Sequence, residues 1–154
     1  MIIIILMKQK MMIRQALTDA ELESAKIIRE RVFVDEQKIP AHLVEDSDND
    51  SAVHVLLSEN YQDMATARMF VSDNLEGIIA RVAVLPAYRG KGCGKLLVEE
   101  LVSIASEMKI RRLSLKPHAY LEMFYTGLGF TTVAGETEKV EEHLLITMEK
   151  FLSQ

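Results

Sequence analysis

IIARVAVLPAYRGKGCGKLLVEELVSIA, residues 78–105, changes its period half-way along. Ile78 to Leu85, β-branched and apolar except for Arg81, predicts a strand. Beyond the loop, Leu97, Leu101, Ile104, Ala105 and Met108 recur at helical spacing and predict an amphipathic helix. Between the two, RGKGCGK (89–95) packs three glycines and three cations into seven positions. A strand feeding such a turn into a helix has the physics of an anion site. The first helical N–H groups have no intrahelical acceptor, and the helix dipole puts partial positive charge at the same end. Glycines let backbone approach a phosphate with no Cβ in the way. The expected ligand group is a phosphate or pyrophosphate.

Two common phosphate loops do not fit. Counting back from Gly94-Lys95 for a P-loop reaches Arg89 instead of glycine, and Leu96 stands where the magnesium-binding hydroxyl belongs. The dinucleotide pattern fits Gly90 and Gly92 but meets Lys95 at its third glycine. What remains is Arg89-x-x-Gly92-x-Gly94, which resembles the (Q/R)-x-x-G-x-(G/A) signature of the GNAT N-acyltransferase superfamily. RVAVLPAYRGKGCGKLL is similar to that family's strand–loop–helix unit along its length. Downstream, FYTGLGF (124–130) resembles its F-Y-x-x-x-G-F, with room between for a helix, a strand and a short helix. ERVFVDEQ (30–37), then an acidic loop and AVHVLL, is similar to the N-terminal half of one branch of small bacterial GNAT proteins.

The resemblance implies an α/β (α+β) fold with a mixed, mostly antiparallel central sheet and helices on both faces. It implies N-acetyl transfer from acetyl-CoA to a primary amine by direct attack in a ternary complex, with no metal. The runner-up is a coenzyme-A-binding sensor without efficient catalysis. By resemblance, the backbone of Val82, Ala83 and Val84 pairs with the pantetheine arm, and the Val84 amide polarises the thioester carbonyl. Backbone N–H groups of Arg89, Gly90, Lys91, Gly92, Cys93, Gly94 and Lys95 cradle the pyrophosphate. Which of the Arg89, Lys91 and Lys95 side chains reach phosphates stays open. Tyr125 is the expected acid that protonates the departing thiolate. Its phenol has an ordinary pKa of about 10 against about 8.5 for a thiol, so donation is mildly uphill. The other reading of Tyr125 is a core residue.

His118 departs from the pattern, standing where related sequences carry Asn or Gln that bonds the pantetheine. It reads equally as a coenzyme contact, a proton carrier or a strand-end residue. Cys93 reads as a small packing residue, or as a thiol that senses oxidants. Candidate bases for the acceptor ammonium are Glu36 and Glu45. With Asp46, Asp48 and Asp50, Glu45 also offers attraction to a cationic amine. The same loop fails as a calcium site, because Ser51 and Leu57 replace the required Gly and Glu. Arg68 and Arg81 orient an acceptor carboxylate or pair with that loop. His54 and His143 read as core or edge residues.

The remaining chain is consistent with one domain. Thr18 to Glu21 has capping-box spacing before a helix predicted to run to about Glu36. AVHVLL (52–57), ATARMFV (65–71), RRLSLK (111–116), FTTVA (130–134) and HLLITME (143–149) read as strands. YLEMFYTG (120–127) reads as a short helix. Length 154 suits residues 11–154 as one domain. MIIIILMKQK (1–10) reads as an extension or an extra strand, its apolar run being far shorter than the roughly 20 residues of a membrane helix. The net charge of −5 argues against nucleic-acid or anionic-membrane partners. The single cysteine points to a reducing, cytoplasmic setting. A small-molecule or peptide amine is the expected acceptor, and exposed terminal strands make a homodimer an expectation.

Overall fold

The computed structural model of the chain describes residues 11–46 and 51–153. The readings of residues 1–10, Asp48 and Asp50 lie outside the described residues. Seven strands form one sheet in the order β1-β2-β3-β4-β5-β7-β6. They are β1 (Met11–Gln15), β2 (Val53–Glu59), β3 (Gln62–Val71), β4 (Glu76–Val84), β5 (Arg112–Leu115), β6 (Thr131–Val140) and β7 (His143–Phe151). Every neighbouring pair is antiparallel except β4–β5, which is parallel. The expected mixed, mostly antiparallel sheet is therefore present.

Helix α1 (Asp19–Arg29) begins at Thr18, whose hydroxyl accepts from the Glu21 amide at 3.1 Å. Glu21 accepts from the Thr18 amide at 3.1 Å and from Arg14 Nε at 2.8 Å. The Thr18 amide first, then Arg14, hold the Glu21 carboxyl down at about 2. The helix was expected to continue regularly to Glu36. Instead it widens into a π-helical segment, Glu30–Glu36, where the Gln37 amide reaches back five residues to the Val32 carbonyl. Such wide turns gather at functional sites. A short helix, α2 (Ala41–Val44), follows. Helix α3 (Cys93–Glu107) and helix α4 (Glu122–Gly127) complete the set.

The core has two parts, one on each face of the sheet. Leu97, Leu101 and Ala105 of α3 pack with Val55 and Leu57 of β2. Ala25 and Ile28 of α1 pack with Leu56. Adjacent β2 residues point to opposite faces, so α1 and α3 cover opposite sides.

Strand β4 breaks its own alternation. Ile79 belongs to the α3 side, yet Ala83, four residues on, belongs to the α1 side. A regular strand would put both on one face. The flip comes from a β-bulge: Thr66 pairs with Ala83 but Arg68 pairs with Ala80, leaving Arg81 and Val82 opposite Ala67. Arg81 sits at φ +55°, the left-handed region. The bulge bends β4, and its pairing with β5 ends at Ile78–Ser114, although β4 runs on to Val84. The sheet is thereby split at the carboxyl ends of its two parallel strands, where open α/β sheets bind ligands.

Below the split the two strands are tightly apposed at Gly77. A Cβ there would lie 2.7 Å from Leu113 Cδ2 and 2.9 Å from Met69 Sδ. Gly77→Ala is expected to cost about 1–3 kcal/mol through overpacking, a melting drop of several degrees in thermal denaturation. An unchanged melting temperature would show that β4 and β5 are not held this closely.

Candidate active site

The split opens into a cavity of about 830 Å³. Ile78 to Val82 of β4 and Ser114 and Leu115 of β5 form its central walls. Phe33, Gln37, Ile39, Leu43 and Val44 close it from the N-terminal segment. Glu136, Val140, His143 and Leu145 close it from β6 and β7. Of the residues singled out in the sequence, Asp46, Arg68, Arg81, Val82, His118, Tyr125 and His143 line it. Val84 and residues 89–95 are not lining residues. They carry the same β4 edge onward into the glycine loop.

The loop has the conformation that its glycines permit. Gly90 and Gly92 sit at φ +78° and +80°. Gly92 is the N-cap of α3, with no side-chain cap bond. The first helical bond runs from the Leu96 amide to the Gly92 carbonyl at 3.2 Å. The preceding N–H groups of Cys93, Gly94 and Lys95 have no acceptor within the helix. No acidic residue stands in the first turn of α3 to occupy them. Cys93 is buried, its Sγ 3.4 Å from the Tyr88 carbonyl, and burial pushes its thiol up. That geometry fits the packing reading, since a reactive cysteine needs the opposite shift.

Tyr125 is held by α4 with only 6% of its surface exposed. It packs edge-to-face against Phe124 at 4.9 Å and Phe130 at 6.0 Å between ring centres. Burial pushes its phenol up to about 12. His118 stacks on Tyr120 at 5.2 Å and meets His143 edge-on at 5.0 Å. Burial, then the neighbouring His143, push the His118 imidazole down, so the neutral ring dominates at pH 7.

The two candidate bases are engaged by arginines. Glu36 accepts from both terminal nitrogens of Arg89 at 2.6 Å each. Glu45 accepts from Arg29 at 2.8 and 3.2 Å. Arg29 also contacts His54 Nδ1 at 3.1 Å, and His54 is buried as a core residue. Arg68 and Arg81 both pair with the acidic loop, as one of their two readings expects. Asp46 accepts from Arg68 at 2.7 and 3.1 Å and from Arg81 at 3.2 Å. Arg81 also bonds the Leu43 carbonyl at 2.8 Å, so the bulge side chain clamps α2 over the cavity.

The sequence that builds this split sheet and its glycine loop is matched by a family model. The model described as "Acetyltransferase (GNAT) domain" matches residues 14–152. The chain belongs to the GNAT acetyltransferase family. Bacillus subtilis YyaT is 29% identical over 143 residues, covering 90% of this chain and 96% of that protein. The crystal structure of Escherichia coli ElaA superposes with a TM-score of 0.81 at 27% identity, covering 92% of this chain and 99% of ElaA. That of an acyl-CoA N-acyltransferase from Pseudomonas aeruginosa gives 0.79 at 26%, covering 92% and 98%.

In this GNAT chain, sequence reasoning missed most of the cavity wall. Phe33, Gln37 and Ile39 are set by the π-helical turn, which has no plain sequence signal. Arg112, Ser114 and Lys116 are placed by β5, and Glu136 and His143 by the β6–β7 hairpin. Only His143 was singled out beforehand, and then as a core or edge residue. Among the described residues, no group of three His, Cys, Asp or Glu is placed to hold a metal ion. No helix among them is long and apolar enough to cross a membrane.

Proposed function

We propose that this GNAT acyltransferase moves the acetyl group of acetyl-CoA to a primary amine, by direct attack in a ternary complex. One observation carries the reading: the end of β4, paired with β3 but no longer with β5, leads from the cavity into a positive-φ glycine loop at the N-terminus of a 15-residue helix. The unpaired edge at Val82 to Val84 offers main-chain bonds to an extended pantetheine arm, as an added strand would. The Val84 N–H is the donor proposed for the developing oxyanion. The loop N–H groups, with Lys91 and Lys95, receive the pyrophosphate. His118 borders the arm at the end of β5. Attack forms the C–N bond and breaks the C–S bond, with its electron pair going to sulfur. Tyr125 protonates that thiolate, and the amine nitrogen gives up its proton to a base. The acceptor is a small molecule or a peptide amine, and the cytoplasm, where acetyl-CoA is available, is the proposed setting.

The second reading, a coenzyme-A sensor without efficient catalysis, is favoured by the arginine pairing of both Glu36 and Glu45. One experiment separates them. Acetyl-CoA at 100 times its Kd is expected to stabilise the fold by about 2.7 kcal/mol, raising the melting temperature by several degrees. Thiol release is then followed with amines, polyamines, amino acids and peptides as acceptors. A melting shift without thiol release selects the sensor, and no shift removes both readings.

A further inference from the structure

Glu36 and Arg89 are 53 residues apart in the chain and meet in a bidentate pair, with both bonds at 2.6 Å. The third reach of the same guanidinium is Nε, which donates to the Val84 carbonyl at 2.9 Å. One side chain therefore joins the end of β4, the glycine loop and the close of the π-helical segment. Glu36 is flanked on both sides by cavity wall, Phe33 before it and Gln37 and Ile39 after it. The turn beyond it is tight, with Lys38 at φ +61° and the Ile39 amide bonded to the Phe33 carbonyl at 2.9 Å.

Two features argue that this pair positions more than it stabilises. Both side chains are about two-fifths exposed, at 41% and 40%. Ion pairs so exposed contribute little to stability. A bidentate guanidinium–carboxylate pair nevertheless fixes direction, because the planar fork admits one arrangement. Arg89 also holds the Glu36 carboxyl below its usual range, which suits a lasting anion and not a base. With three of its donor directions committed to protein, Arg89 leaves the phosphates to the backbone N–H groups and the two lysines.

We propose that Glu36 and Arg89 are positioning residues that tie the acceptor-side wall, residues 33–39, to the coenzyme loop, so that binding of acetyl-CoA orders that wall. This rests on the coenzyme reading given above. It assigns the pair no contact with the reacting atoms. The acceptor would then meet a finished site only after the coenzyme has arrived.

Hydrogen exchange measured by mass spectrometry tests this without knowledge of the acceptor. In the unaltered protein, acetyl-CoA is expected to slow exchange about tenfold in two separate segments, 89–96 and 33–39. In Glu36→Ala and in Arg89→Gln, protection of 89–96 should persist while that of 33–39 is lost. The double variant should lose no more than either single one, because the two side chains act through one bond pair. Both variants should melt within a few degrees of the parent, which separates the effect from unfolding. Persistent protection of 33–39 in either variant overturns the proposal. So does a parent protein in which 89–96 responds and 33–39 does not. If 89–96 itself fails to respond in the parent, the coenzyme reading falls first and this inference with it.

Discussion

Replacing Tyr125 with Phe is expected to lower turnover about 100-fold while leaving acetyl-CoA affinity within about threefold. The ring stays, and with it the edge-to-face packing on Phe124 and Phe130. Only the hydroxyl goes, and the acidic proton with it. The site sharpens this expectation in one respect. Burial holds the phenol at about 12, so it stays protonated across the whole working range. The gap to a departing thiolate is about 3.5 pH units, roughly 5 kcal/mol, if the proton moved only after the bond had broken. Transfer must therefore accompany C–S cleavage, or bound coenzyme must lower the phenol. The pH profile of turnover tests the assignment. No basic limb from Tyr125 is expected below about pH 10 in the parent, and the deficit of Tyr125→Phe should be constant over pH 6–9. Stability carries the matching sign. The raised pKa favours the folded state below the unfolded value of about 10. That contribution fades as pH climbs from there toward about 12. A variant that keeps more than half of its turnover would remove Tyr125 from catalysis and leave it a core residue.

How much of this was legible beforehand depended on how local each feature is. The switch from a strand period to a helix period around RGKGCGK is local, and β4, the loop and α3 stand where it predicts. The capping box at Thr18 is local too, and both of its bonds are made. The bulge was not legible. It falls on Arg81 at φ +55°, with no glycine, asparagine or proline to announce it. Yet it turns β4 away from β5 and so makes the cavity. The π-helical turn hides in the same way inside an ordinary amphipathic pattern. Ion pairs are the third case. Residue type suggested Glu36 and Glu45 as bases, but their partners Arg89 and Arg29 lie 53 and 16 positions away. Only the fold could show that each carboxylate already has a cation to satisfy. The β6–β7 wall is equally non-local, since Glu136 and His143 reach the site through pairing across the sheet. Local sequence thus announced the side proposed for the coenzyme, and tertiary pairing made the side proposed for the acceptor.

Gly92→Val is expected to weaken acetyl-CoA binding at least 30-fold while the fold survives with a lower melting temperature. The two effects have separate causes. Gly92 sits at φ +80°, so any L side chain there carries a strain of about 1–2 kcal/mol. A β-branched residue is the least tolerant of that conformation. Inside the protein itself nothing obstructs the added carbons, because a Cβ at this position meets no atom within 4 Å. The open space it would enter is the space beside the N-terminus of α3, which the proposed reading gives to the pyrophosphate. The loss of binding should accordingly exceed what strain alone explains. Gly94→Ala is the matching control. Gly94 has an ordinary helical conformation, and its added Cβ would rest 3.6 Å from Phe124 Cζ, a normal contact. The family signature also accepts Ala there, and its affinity for acetyl-CoA should change less than about threefold, since neither strain nor overlap is introduced. Calorimetric titration of both variants, with thermal melts alongside, reads binding and stability separately. If Gly92→Val melts earlier but binds acetyl-CoA as the parent does, the glycines serve only the turn, and the pyrophosphate lies elsewhere. If Gly94→Ala loses binding as strongly as Gly92→Val, the loop responds to any change and the left-handed conformation at Gly92 has no special part.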